Sequence, residues 1–347
     1  MSARSRDLIS ATLITAGIPC AGEVHMAAGA STGPFADYWK DWFDLERWHT
    51  GSSASSTGDI QRGYDRMSSG RNDVLLVSPE THHVSTALTW SKDNTHLVGA
   101  GGRTHMHPSA LIQPHGAVSP LITVACTGAV FSGLTLRNGQ STGSTACVST
   151  LLLSTGGSYN FTMRNSFIWG PEDDSVNDST SGWSLIKIGG DFNLFEDCLI
   201  GYGWPIAGEP TASSLNASLL RFQKSVYTGS EFRNCFFQAE FKVAAQAFIM
   251  AEYSPAANVF WVFRNCQFFN AGSTASNYGI RSDQAGAVSW SGGQTLAYFD
   301  ADCAFAGVTD VGAAAGESYA KFSPAMAQST DAAHVQVGLA LSYDHTS

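Results

Sequence analysis

Phe232-Arg233-Asn234-Cys235-Phe236-Phe237 is followed, thirty-one residues on, by Phe263-Arg264-Asn265-Cys266-Gln267-Phe268-Phe269, so that one phrase is written twice around a cysteine. Aligning the chain on this phrase brings out further copies: VFSGLTLRNG (130–139), FTMRNSFIWG (161–170), NLFEDCLIGYG (193–203) and YFDADCAFAGV (298–308). Each reads apolar, polar, Asn/Asp/Gly or similar, a small residue, any residue, apolar. Taken as the small residues, Gly133, Ser166, Cys198, Cys235, Cys266 and Cys303 are spaced by 33, 32, 37, 31 and 37. An earlier copy, NTHLVGAGG (94–102), sets Gly99 34 residues before Gly133 and brings the count to seven turns. A fixed period of this length is the mark of a stacked-repeat architecture.

Between the phrases lies a second beat of short apolar runs, CVSTLLLS (147–154), WSLIKIGG (183–190), SLLRFQ (218–223) and AFIMAEY (247–253), whose composition is that of strands. Helical periodicity is missing over 95–310, glycine is frequent, and the signature of a propeller blade is absent. The solution left is a parallel β-helix, in which each repeat is one coil and like positions stack at about 4.8 Å. The fold class is therefore all-β: a parallel β-helix solenoid of about seven coils.

Composition narrows function. Only 14% of residues are charged, 35 are glycine, and the net charge is −10 with no long Lys/Arg cluster, so nucleic acid is disfavoured as a partner. No apolar stretch approaches the roughly 18 residues of a membrane helix, and membrane insertion is not expected. At the N-terminus Arg4 and Arg6 precede a segment broken by Asp7, Ser10, Thr12 and Thr15, which reads poorly as a signal peptide. The expectation is folding in a reducing cytosol. The seven cysteines (20, 126, 147, 198, 235, 266 and 303) are odd in number and widely spread, with no C-x-x-C, which speaks against a disulfide scaffold or a zinc site.

The stretch Ile60-Gln61-Arg62-Gly63-Tyr64-Asp65-Arg66-Met67, then NDVLLVSPETHHVSTALTW, then NTHLVGAGG, together with the repeat, resembles the opening of right-handed parallel β-helices of the pectin-lyase-like superfamily. The resemblance implies a right-handed parallel β-helix solenoid with a short N-terminal capping helix, which carries Ile60, Tyr64 and Met67 on one face and is followed by a strand from Val74 to Val77 with Pro79 at its exit. It divides the chain into an N-terminal arm or attachment segment (1–57), the β-helix (58–310) and a C-terminal cap or partner-binding tail (311–347). Enzymes of this superfamily cut polysaccharides with paired carboxylates, or with Ca²⁺ and an Arg or Lys base. Their hydrolase motifs do not occur in this sequence, and no histidine lies between 116 and 333.

Candidate chemistry is correspondingly thin. The acidic run Glu172, Asp173, Asp174 and Asp178 falls in a loop after a phrase; it is the catalytic or Ca²⁺-binding candidate under an enzymatic reading, and otherwise a solvated loop. His105 and His107 would share a strand face, but no further ligand type completes a metal set, so no metal or other cofactor is expected. Asn165, Asp197, Asn234, Asn265 and Asp302 precede Ser166, Cys198, Cys235, Cys266 and Cys303, and read as a structural ladder of turn-satisfying amides beside buried free thiols. Arg164, Arg233 and Arg264 form a row that Glu196 interrupts and neutralises. Tyr38, Trp39, Trp42, Phe43 and Trp48 crowd into eleven residues outside the repeat and are interface candidates.

Two functions follow. The first is a non-enzymatic bacteriophage virion structural protein (capsid decoration, fibre or spike-like component). It would be located in the virion after assembly in the host cytoplasm, trimeric, with capsid or other virion proteins as partners and a surface glycan as a further one. The alternative is a polysaccharide lyase or glycoside hydrolase of the pectin-lyase-like type, carried on a tailspike, with Ca²⁺ entering only in that case.

Overall fold

The computed structural model describes residues 11–18, 22–28, 48–50, 58–100, 110–115, 118, 120–138, 149–169, 184–201, 218–223, 229–240, 247–251, 261–271, 278–282, 297–308, 320–322 and 327–328. Three sheets are built by successive coils, and every strand pairing is parallel. The first holds eleven strands, in spatial order Trp48–Thr50, Val24–Ala28, Val74–Val77, His96–Gly99, Val130–Ser132, Thr162–Arg164, Leu194–Glu196, Glu231–Arg233, Trp261–Arg264, Ala297–Phe299 and Ala320–Phe322. The second holds nine, from Thr81–Val84 through Leu111–Pro114, Thr135–Arg137, Phe167–Trp169, Leu199–Gly201, Phe236–Ala239, Gln267–Asn270 and Ala304–Ala306 to Ala327–Gln328. The third holds seven: Leu88–Trp90, Ile122–Val124, Leu151–Leu153, Ser184–Ile188, Ser218–Phe222, Ala247–Ala251 and Tyr278–Ser282. The repeated phrase supplies the first two sheets and the turn between them; the second beat supplies the third. The first sheet also runs past both ends of 58–310, taking in Val24–Ala28 before and Ala320–Phe322 after.

The register corrects one alignment. Ser132 stands opposite Arg164, and Thr135 opposite Phe167, so Gly133 belongs with Asn165, Asp197, Asn234 and Asn265 rather than with the cysteines. All five share a left-handed backbone, with φ of 68°, 47°, 54°, 52° and 49°. Glycine and asparagine are the residues that tolerate this conformation, which the two-residue corner requires. The cysteine column therefore contains Leu134, Ser166, Cys198, Cys235, Cys266 and Cys303, and its common property is burial. Asp302 departs as well. Its corner is one residue longer, it lacks the left-handed φ, and the Asp300 carboxylate there accepts from the Asn265 N–H at 3.0 Å, in place of a neighbouring carbonyl. Elsewhere the ladder is regular: Asn234 N donates to Arg264 O at 2.9 Å, and the Asn265 amide donates to the Asn234 side-chain oxygen at 2.9 Å.

Inward positions stack by type. Phe195, Phe232, Phe263 and Phe299 follow one another through the first sheet with ring centroids 4.8, 4.9 and 4.7 Å apart and nearly coplanar rings. In the second sheet Phe237, Phe268 and Phe305 repeat the arrangement at 4.4 and 4.2 Å. Parallel in-register strands force like side chains into contact, and aromatic stacks turn that constraint into stabilisation. At the first coil the helix Gly58–Arg66 buries Ile60 and Tyr64, and Met67 just beyond it, in the same core, with the Tyr64 ring 4.4 Å from Trp90. Lys92 Nζ donates to the carbonyls of Tyr64, Asp65 and Met67 at 2.8, 3.0 and 2.8 Å, a cation on the helix C-terminus. A second, smaller core lies outside the first sheet, where Leu13, Ala16 and Ile18 cover Met26, Val74, Leu76, Val98 and Ala100.

Candidate functional site

A three-sheet solenoid offers three outer faces, and each carries a different chemistry. On the first, the column Arg164, Glu196, Arg233, Arg264 is in register. Arg164 Nε meets Glu196 at 2.9 Å, and Glu231, one column over, accepts from Arg233 at 2.8 Å and from Arg264 at 2.7 Å. The guanidinium of Arg233, and then that of Arg264, hold the Glu231 carboxyl below its ordinary range. This is the mutual neutralisation expected from sequence, with Glu231 as an additional partner. Such half-exposed pairs hold a surface together and leave little charge for a ligand.

The second face is aromatic and amide-rich. Its outward column runs His83, Gln113, Arg137, Trp169, Gly201, Gln238, Phe269, with Phe167, Leu199 and Phe236 alongside. The Arg137 guanidinium lies 4.9 Å over the Trp169 ring and donates to Gln113 Oε1 at 3.3 Å.

The third face is cationic. Its outward column is Thr89, Thr123, Leu152, Lys187, Arg221 and Met250, one residue per coil in continuous register, and the backbone of Arg281 pairs next to Met250. Thr89 is exposed, Thr123, Leu152 and Lys187 are half-buried, and Arg221 and Met250 are covered, at 2% and 0% exposure. The row thus passes from open surface to a covered arginine, and strand spacing sets Lys187 and Arg221 about 4.8 Å apart along the axis. Neighbouring inward residues Ile186, Ile188 and Leu220 are wholly buried, which fixes the opposite orientation of the Lys187 and Arg221 side chains.

Hydrolysis at a glycosidic bond asks for two carboxylates about 5–10 Å apart, and this column supplies none. A lysine beside an arginine suits another class: a base that removes a proton next to a carboxylate, and a cation that stabilises the charge that develops. Among the described residues no three His, Cys, Asp or Glu converge on one point.

The acidic run Glu172, Asp173, Asp174 and Asp178 lies outside the described residues, as do Tyr38, Trp39, Trp42, Phe43, His105 and His107. Trp48 opens a strand paired to Met26, and only its backbone is described. Cys198, Cys235, Cys266 and Cys303 are free and buried, and burial pushes the first three thiols well above their ordinary range. The Sγ atoms of Cys198, Cys235 and Cys266 donate to the carbonyls of Glu196, Arg233 and Arg264 at 3.4, 3.3 and 3.4 Å, so these thiols serve the corner rather than a reaction. Sequence reasoning missed Lys187, Arg221 and Arg281. Their signal was present in the second beat, where SLIKI, SLLRF and YGIRS each set one basic residue fourth in an otherwise mostly apolar strand.

No protein-family model matches the chain, and no curated protein sequence does. Among solved structures it is similar to the pectin methylesterase PemA from Erwinia chrysanthemi, at 13% identity and a TM-score of 0.50, over 84% of this chain and 81% of that one. A pectin methylesterase from Aspergillus niger aligns at 12% identity and a TM-score of 0.47, over 93% and 94% of the two chains. The pectate lyase Pel9A aligns at 11% and 0.46, over 96% and 92%. At 13% identity the likeness to PemA speaks for architecture and not for activity. With three all-parallel sheets wound around one core, the chain is a parallel β-helix, the fold it shares with PemA.

Proposed function

We propose that this β-helix engages an acidic polysaccharide along the outer face of its third sheet, through the half-buried Lys187, with the covered Arg221 as a fixed positive charge beside it. The observation that carries the reading is the in-register basic row on one face of a chain whose net charge is −10. Cations held in a line on a rigid sheet match a polymer that repeats one carboxylate per sugar, and the covered end of the row lowers the local dielectric where Arg221 sits. Cleavage by elimination is the reaction class this row suits: Lys187 as the base takes the proton beside the carboxylate, the C–H electrons form the double bond, the glycosidic oxygen leaves, and the covered Arg221 contributes positive potential from behind. The expected virion role, with capsid partners and a trimer, rested on missing motifs, and no described surface feature favours it over glycan binding.

Affinity electrophoresis of the whole chain through gels containing polygalacturonate tests the proposal. Retardation that Lys187→Ala reduces supports it, and growth of unsaturated uronate absorbance in the mixture adds the elimination step. Migration unchanged by polygalacturonate at low salt would sink it.

A further inference from the structure

We infer that the corner between the third and first sheets carries an exposed platform, Phe192 with Tyr159, on which one ring of a neutral glycan stacks. An exposed phenylalanine alone calls for no explanation. Phe192 joins exposure to an unfavourable backbone. Its φ is 56°, and every other non-glycine residue in the left-handed region among the described residues is Asn or Asp. Its own column shows what the corner prefers, with Asn94, Gly128 and Asn160 at the same place in the three preceding coils. The residue is 58% exposed, so packing inside the protein is not what holds a phenylalanine there. A strained residue with no internal return marks a place where a ligand supplies it.

The surroundings define the ligand. Tyr159 lies on the preceding coil, bridged in register to Asp191, so it stands one strand spacing from the Asp191–Phe192 segment, about 4.8 Å along the axis. It is 36% exposed, and no aromatic ring stacks on it or on Phe192 among the described residues. Asn160, also exposed, stands directly beside Phe192, its N–H on the Asp191 carbonyl at 3.1 Å. The surface is open as well beside Tyr159: at Gly156, three residues earlier, a Cβ would meet nothing within 4 Å. At 58% and 36% of roughly 200 Å² each, the two aromatic side chains offer about 190 Å² together. A stable protein partner needs about 800 Å² on each side, whereas one sugar ring is matched by this area. Aromatic faces receive the C–H surface of such a ring, and the Tyr159 hydroxyl and Asn160 amide both donate to and accept from its hydroxyls. Asp191, in the Tyr159 column, adds a carboxylate, and Thr127, Gly128 and Asn160 add no cation, so an uncharged ring suits the corner better than a uronate. The platform lies off the outer face that holds Lys187, and does not depend on the reading of that face.

The test is affinity electrophoresis of the full-length protein in gels containing a neutral galactan, a glucan or a mannan, next to a polygalacturonate gel. The expected result is retardation by at least one neutral polymer that weakens about tenfold in Phe192→Asn and in Tyr159→Ala. It should survive in Phe192→Tyr and be unchanged in Lys187→Ala. Phe192→Asn has a second readout: its urea midpoint should rise while its retention falls, opposite signs that a packing residue would not show. Circular dichroism melts certify the fold of each variant, and Tyr159→Ala carries the test if Phe192→Asn does not fold. Absence of retardation in all three neutral gels, or retardation that survives in folded Phe192→Asn, overturns the platform. Retardation confined to polygalacturonate overturns the neutral ring even where Phe192→Asn abolishes it.

Discussion

Left-handed residues set the corners of this solenoid, and one of them is ill suited to its place. Asn94, Gly128, Asn160 and Phe192 form a second left-handed column at the entry to the first sheet, with φ of 49°, 73°, 52° and 56°. Thr127, Tyr159 and Asp191 bridge in register just before the last three of them. Phe192 is 58% exposed, so its ring returns little burial for a conformation that costs a residue with Cβ about 1–2 kcal/mol. Replacement by Asn or Gly should stabilise the protein by about 1 kcal/mol, read as a higher urea midpoint with an unchanged slope; a lower midpoint would count against strain at this corner. The cysteines follow the opposite logic. Cys126, whose thiol burial pushes up to about 12, and the Cys198, Cys235 and Cys266 thiols should label slowly with a disulfide reagent until the protein unfolds. Fast labelling of the native state would contradict this. The asparagine corner was legible from FRNC alone. The Phe192 column was not, because a phenylalanine gives no sign of a left-handed turn.

At the scale of elements, the N-terminal strands are tied on by buried polar groups. Asp73 is fully buried and accepts from Glu23 N at 2.8 Å, Ser68 N at 2.6 Å and Arg71 Nε at 2.7 Å, joining the strand Val24–Ala28, the segment after the helix and the strand Val74–Val77. Burial works to raise its pKa, but the Arg71 guanidinium and the two amides outweigh this and hold it below the ordinary value. Next to it across the sheet, where His96 N donates to Asp73 O, His96 is 5% exposed, and its Nδ1 accepts from Val130 N at 3.2 Å. Burial pushes that imidazole down to about 4, with Asp73 pulling weakly the other way. A depressed histidine pKa means that the unfolded chain binds the proton first, so the contribution of His96 is complete above pH 6.5 and is lost as pH falls toward about 4. The loss is on the order of 3 kcal/mol, and His96→Gln should flatten the stability profile over this window. An unaltered profile would show that another group governs it. In the middle of the solenoid Phe232→Ala should cost about 3–5 kcal/mol, since it opens the stack between Phe195 and Phe263.

At the scale of the molecule, coils far apart in the chain act only through those between them, because each touches its neighbours alone. Three faces with three chemistries then run the length of one rigid body. The third face then has a response of its own. Retention on polygalacturonate should fall steeply as salt rises from low to physiological strength, since screening acts on the charges that carry it. Retention indifferent to salt would mean that charge does not carry the binding.

The sequence by itself determined the period, the fold class and the phrase that turns each corner, because in-register stacking requires like residues at like intervals and leaves them visible. It also showed that the arginine row on the first sheet meets its own counter-charge. Register at single-residue precision belonged to the tertiary structure, which moved Gly133 out of the cysteine column and into the left-handed one. So did the assembly of Lys187, Arg221 and Arg281 into one register position, and of Trp169, Gly201 and Gln238 into one column. Those residues lie about thirty or more apart in the chain, in coils of unequal length, and only the hydrogen-bonded ladder between strands determines which of them stand side by side.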